Sequence, residues 1–141
     1  MVDDRSREQR KHVFAIDGSP DFLNLIRDLF QGEGYNVTTT NYVPTSFEQI
    51  ETAHPDALII DVVIGQEAGW ALLEQLQGDA DTAGIPVLVV STDPRLLKRA
   101  QEQAALYGTH RYLEKPFDVD ALLTTIKEMI GDALPGDPGP T

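Results

Sequence analysis

The chain has 141 residues, 41% of them apolar and 24% charged, enough for one domain with a real core and too short for two. Eleven Lys plus Arg against 23 Asp plus Glu give a formal net charge of -12, which argues against direct nucleic-acid binding, where phosphate demands a basic face. The absence of cysteine excludes a disulfide framework and a thiolate metal site, and no apolar run approaches the roughly 18 to 20 residues of a membrane span. The expectation is a soluble, cytoplasmic protein without membrane contact.

Residues 1–10 are polar and are no signal peptide. Arg5, Arg7 and Arg10 alternate with Asp3, Asp4 and Glu8, which predicts a solvated arm. His12 to Asp17 (HVFAID) reads as a buried strand ending in an acid. Ser19 and Pro20 then supply an N-cap and a first-turn proline. Phe22, Leu25, Ile26 and Leu29 follow at spacings of three and four, predicting an amphipathic helix that ends near Gly32 to Gly34. Tyr35 to Thr40 is rich in β-branched residues and reads as a second strand; Val43 to Ala53 reads as a helix.

Ala57 to Asp61 (ALIID) is too apolar for a half-exposed strand and suits a parallel sheet covered on both faces. Gln66 to Leu76 is the next predicted helix, and Ile85 to Ser91 (IPVLVVS) the fourth strand. Leu96 to Tyr107 reads as a helix, Arg111 to Leu113 as a short strand, and Val119 to Ile130 as the last helix. After it, GDALPGDPGPT is a Pro/Gly-rich tail or the start of a linker, assigned to residues 132–141.

Five strand-then-helix units predict an α/β fold: a doubly wound, five-stranded parallel sheet with helices on both faces, flavodoxin-like. In such sheets chemistry gathers at the carboxyl ends of the strands. The strand ends here offer Asp17, Asp61 and Ser91, with Lys115-Pro116 just past the fifth. Two neighbouring carboxylates attract a hard divalent cation, for which Mg2+ is the natural candidate. A carboxylate can act as a nucleophile, a metal ion and a lysine can neutralise a transferring phosphoryl group, and a serine hydroxyl can bond one of its oxygens. The set suits phosphoryl transfer to a carboxylate. Taken singly, a strand-ending Asp can be a turn residue, Ser91 a loop start and Lys115 a surface lysine. The conjunction carries the expectation.

Four segments make a resemblance plain: AIDGSPDFLNLIRDLFQGEGYNV from Ala15, PDALIIDVVIGQEAGWALLEQL from Pro55, IPVLVVST from Ile85 and RYLEKPFD from Arg111. The chain resembles the receiver domain of two-component response regulators over about residues 11 to 130, and the domain is assigned to residues 11–131. The resemblance implies that Asp61 is the phosphoacceptor, served by a histidine kinase or phosphotransfer protein. It implies Asp17 and Asp61 as Mg2+ ligands together with the backbone carbonyl of Val63, Lys115 as the phosphate-pairing lysine, Ser91 as the switch hydroxyl and Tyr112 as the switch aromatic. It further implies a cis Lys115-Pro116 bond and signalling to a downstream protein through the face of the fourth helix, fifth strand and fifth helix. A homodimer is compatible with this reading. Substrate turnover is not implied: His12, His54 and His110 have no nucleophile pattern nearby.

The departures set further expectations. Receivers carry two consecutive acids after the first strand; here the second position is Gly18, which weakens Mg2+ binding and leaves a pseudo-receiver, an interaction module working without phosphorylation, as the alternative. Gly65 replaces the usual proline after the acceptor, and Ala68 sits where an acid is common. Apolar Val63 cannot orient an attacking water, so an aspartyl phosphate here is expected to be long-lived. A flavodoxin-like binder of a phosphorylated cofactor is disfavoured, because Asp17-Gly18-Ser19-Pro20 offers few free N–H groups and a negative charge.

Overall fold

The computed structural model describes residues 10–41, 45–62, 68–104 and 110–133. The expected arm and most of the expected tail fall outside them, as do Val63 and Gly65. Five strands, β1 (His12–Ile16), β2 (Asn36–Thr40), β3 (Ala57–Asp61), β4 (Val87–Ser91) and β5 (His110–Glu114), alternate with five helices. These are α1 (Pro20–Gly32), α2 (Ser46–Ala53), α3 (Ala68–Gln77), α4 (Pro94–Ala104) and α5 (Val119–Ile130). All strand pairs are parallel, in the order β2-β1-β3-β4-β5. This is the predicted doubly wound α/β sheet.

The continuous apolar runs have their physical reason in two cores. On one face Phe14, Ile16, Leu58, Ile60, Val87 and Val89 pack with Trp70, Leu73, Leu76, Leu97 and Ala100 of α3 and α4. On the other, Val13, Ala15, Ala57, Ile59, Leu88 and Val90 pack with Ile26 and Phe30 of α1 and Leu122 and Ile126 of α5. Successive strand residues point to opposite faces, so a strand covered on both sides must be apolar at every position. Burying each such side chain contributes about 1.5 to 3 kcal/mol. The edge strands β2 and β5 are only partly covered, and accordingly carry Thr38 to Thr40 and Arg111.

Capping sets several boundaries. Ser19 Oγ accepts from Phe22 N at 3.3 Å with Pro20 in the first turn, as expected. At α2 the left-handed His54 (φ 47°) closes the helix. The fourth helix begins at Pro94, two residues before the predicted Leu96. The Asp93 carbonyl accepts from Leu96 N and Leu97 N, and its carboxylate accepts from Arg95 N at 2.8 Å, so Asp93-Pro94 starts the helix ahead of the first apolar residue. The first strand ends at Ile16, and Asp17 stands one residue beyond it. Packing continues past α5: Lys11 N donates to the Ala133 carbonyl at 2.6 Å, and Ala133 is buried.

Candidate functional site

Strand order decides where the site lies. The chain goes from β1 outward to β2 and then returns to β3 on the opposite side of β1, so the carboxyl ends of β1 and β3 flank the crevice where the direction of winding reverses. Ile16 pairs with Ile60 in register. The next residue on each strand is therefore Asp17 beside Asp61, and both are buried.

Asp17 is held by local geometry. Its N–H donates to the Thr40 carbonyl at 3.2 Å, and its Oδ1 accepts from Ser19 N at 2.8 Å. Its Oδ2 accepts from Lys115 Nζ at 2.8 Å. The same ammonium lies 3.3 Å from Asp61 Oδ1. Lys115 is itself anchored at the backbone, where its N–H donates to the Ser91 carbonyl at 2.8 Å, and its peptide bond to Pro116 is cis. One cation thus joins the ends of β1, β3 and β5.

Ser91 ends β4 and is completely buried, with its Oγ accepting from Asp93 N at 3.1 Å. Tyr112 lies beside Val89 in register, packs against the core of the α3 and α4 face, and donates its hydroxyl to the Ala100 carbonyl at 3.3 Å. Burial raises the Tyr112 phenol above its ordinary value. All four predicted side chains other than Tyr112 are therefore brought to one rim, and Tyr112 stands behind Ser91, toward α4.

Electrostatics single out Asp61. Burial pushes its carboxyl up to about 6 from the ordinary 3.8; Asp17 adds to the rise and Lys115 opposes it. A carboxylate kept short of water, beside a second acid, is a group whose negative charge is held in place by few partners.

Sequence reasoning missed Phe22. Its ring centroid lies 4.0 Å from Lys115 Nζ, a cation–π contact, and the ring meets Phe117 edge-on at 6.0 Å. Phe22, Leu25, Thr92, Pro116 and Phe117 line a cavity of about 340 Å³ against Lys115. The signal available was Phe22's place in the first turn after an acid-ended strand, but helical spacing alone assigned it to the core.

Asp17 and Asp61 offer hard oxygen donors of the kind Mg2+ takes. The third expected donor, the Val63 carbonyl, lies outside the described residues. Among those residues one trio of acids brings its oxygens within 4.8 Å, Glu51, Asp79 and Asp81. It sits at the end of α2 and just after α3, at the opposite end of the sheet, and is no part of this rim. The three histidines also lie away from it. His12 and His110 start strands, and burial lowers both from their ordinary value.

Comparison with known proteins gives the family and the fold. A family model described as the response regulator receiver domain matches residues 13–127. The polar-differentiation response regulator DivK of Brucella ovis is 27% identical over 123 residues, 87% of this chain and 98% of that protein. In fold, the chain is similar to the chemotaxis protein CheY4 of Vibrio cholerae (TM-score 0.73, 21% identity, 85% of this chain and 98% of that one). It is similar also to a CheY-like receiver domain protein of Methanospirillum hungatei (TM-score 0.73, 21% identity, 86% and 94%). With the family model spanning most of its length, the chain belongs to the response regulator receiver domains.

Proposed function

We propose that Asp61 is the phosphoacceptor of this receiver domain. Receiver domains are signalling domains of two-component systems, and the observation that carries the assignment is Lys115 Nζ, set between Asp17 and Asp61 at the crevice of the sheet. An Asp61 oxygen attacks the phosphorus of a phosphohistidine on a histidine kinase or phosphotransfer protein. The P–O bond forms as the P–N bond breaks, and the released imidazole takes its proton from solvent. Lys115 offsets the charge on the phosphoryl oxygens and Asp17 positions Lys115. Mg2+, held by Asp17, Asp61 and the Val63 carbonyl, would offset further negative charge on that group.

Transfer replaces the single negative charge of the Asp61 carboxylate with a phosphoryl group of about -1.5 to -2 charge. Ser91 has accepted one hydrogen bond and keeps its own O–H to donate to a phosphoryl oxygen. On this reading Tyr112, whose hydroxyl donates to the Ala100 carbonyl of α4, carries the movement of Ser91 to that helix. A downstream protein that prefers the changed face of α4, β5 and α5 shifts the population toward it. Our reading puts the phosphodonor at the apolar cavity beside Lys115, where Leu25 is exposed. We assign the domain to residues 11–131 and its place of work to the cytoplasm; no helix among the described residues is long and apolar enough to cross a membrane.

The test is incubation with acetyl phosphate and Mg2+ followed by intact mass measurement. The wild type should gain one phosphoryl group and Asp61→Asn none; incorporation that survives Asp61→Asn refutes the assignment. The pseudo-receiver reading predicts no incorporation in either protein.

A further inference from the structure

Another cavity opens at the amino end of the sheet, where β1 and β2 begin, at the far end of β1 from Asp17. Its volume is about 500 Å³, and polar side chains make up most of its lining, among them Arg10, His12, Gln31, Asn36 and Thr38. No residue of the Asp61 rim takes part in it.

Arg10 is the unusual member. Its Nε is buried and has no hydrogen-bond partner among the described residues, although the residue as a whole is only half-buried. A buried N–H left without an acceptor costs about 1 to 3 kcal/mol, and more on a charged group. The backbone around Arg10 holds it there all the same. The Asn36 side chain donates to the Arg10 carbonyl at 3.4 Å, Asn36 N donates to the Lys11 carbonyl at 2.9 Å, and Lys11 N donates to the Ala133 carbonyl at 2.6 Å. A fixed residue of the cavity wall thus carries an unused charged donor.

The remaining groups are engaged or neutral. His12 Nε2 is bonded to Thr38 Oγ1 at 2.8 Å, the His12 N–H donates to Asp56 Oδ2 at 2.7 Å, and the Tyr35 hydroxyl donates to the Gly131 carbonyl at 2.7 Å. Burial lowers His12 from its ordinary value and so keeps it neutral at pH 7.5. Arg10 is then the charged side chain of the lining, and Gln31 adds a neutral amide. Acids stand close behind: Asp56 acts on His12, and Glu33 and Asp132 act on Tyr35. One guanidinium with acids around it can offset a single negative charge, whereas a dianion meets net repulsion.

We propose that this cavity binds a small polar molecule bearing one carboxylate, with the Arg10 guanidinium as its anchor and Gln31 and Thr38 as contacts for its neutral groups. The arginine fork presents Nε–H and an Nη–H side by side, which suits the two oxygens of a planar carboxylate. The volume is more than an inorganic ion fills and lies within the roughly 300 to 1,000 Å³ of small-molecule pockets. An occupant touches β1, the end of α1 and β2 together. The site stands whether or not Asp61 accepts a phosphoryl group.

The test is a titration of the isotope-labelled full chain with gluconate, a polyhydroxy monocarboxylate, at pH 7.5 and constant ionic strength, followed by magnetic resonance. The Arg10 Nε–H signal and the His12 and Thr38 amides should shift saturably, half-complete at about 1 to 10 mM. Sorbitol, its uncharged counterpart, and inorganic phosphate, mostly a dianion at this pH, should each bind at least about tenfold more weakly. Sorbitol binding as well as gluconate overturns the anchoring role of Arg10, and phosphate binding more tightly overturns the single-charge ligand class. Arg10→Gln and Arg10→Lys should each lose at least about tenfold, the lysine because it keeps the charge without the fork. Lys11→Gln removes a neighbouring charge and should stay within about twofold of wild type. A loss in Lys11→Gln equal to that in Arg10→Gln overturns the proposal, as does the absence of any saturable shift up to about 100 mM gluconate. Should neither Arg10 variant fold, the comparison of gluconate with sorbitol on the wild type decides.

Discussion

Two groups of acids stand at opposite ends of one sheet. At the carboxyl end, Asp17 and Asp61 are buried and share Lys115; at the amino end, Glu51, Asp79 and Asp81 bring more oxygens together but stay partly or fully exposed. The larger cluster lies away from Asp61. Exposed carboxylates keep their water, and water screens their repulsion, so gathering three of them costs little and does little. Two carboxylates removed from water need a fixed cation, and that need makes the rim a device for handling charge.

The sharpest way to break this comparison is covalent. Asp61→Asn should abolish phosphoryl incorporation from acetyl phosphate, whereas Asp79→Asn should leave it at the wild-type level by intact mass. Incorporation lost from both would show that the ends of the sheet are not independent.

Stability gives the next effect. Lys115→Met strands two buried carboxylates, which for a fully buried pair costs about 3 to 5 kcal/mol. Lys115 keeps some solvent exposure, so we expect about 2 to 3 kcal/mol by urea unfolding at pH 7.5, shrinking below pH 6 as Asp61 takes up a proton.

Asp61→Asn should move stability the other way. The Asp61 carboxyl titrates near 6 in the folded state and at 3.8 when unconstrained, so the folded state binds the proton more tightly. Its contribution to stability therefore falls as pH rises from about 4 to 6, and above that range it is a constant penalty of up to about 2 to 3 kcal/mol. The asparagine variant should match wild type near pH 4 and exceed it at pH 7.5. Equal stability at both pH values would remove the electrostatic account of the rim. At the amino end, Asp79→Asn retains the oxygen that accepts from Asp81 N and should change stability by less than about 0.5 kcal/mol.

The smallest signal is optical. Trp70 is the chain's one tryptophan, and the Arg99 guanidinium of α4 lies 4.3 Å from its ring. Beryllofluoride with Mg2+ should alter Trp70 emission modestly in wild type. Ser91→Ala should lose that change, and an undiminished change would mean that α4 responds by a route that bypasses Ser91.

The sheet was legible because its central strands are covered twice: a run such as ALIID has few other homes in a chain of this size. Asp61, Asp17, Ser91 and Lys115 could be placed on one rim because strand ends in such a sheet share a rim whatever the side chains do. Distances could not be read. That one ammonium reaches both acids depends on a rotamer and on the Lys115 N–H bond to Ser91, contacts across 98 and 24 residues. Phe22 was hidden for the same reason, since helical spacing says that a residue faces inward but not which cation its ring meets. The early start of α4 was readable from Asp93-Pro94; weighting apolar spacing over capping chemistry concealed it.

The two cores have a consequence for traffic. Phe22 and Phe117, beside Lys115, belong to the layer of α1 and α5, while Tyr112 packs into the layer of α3 and α4. The sheet is the partition between them, and Asp61 ends its central strand β3. On the proposed assignments, a donor against α1 and a reader against α4 would stand on different sides of a wall about one strand-layer thick.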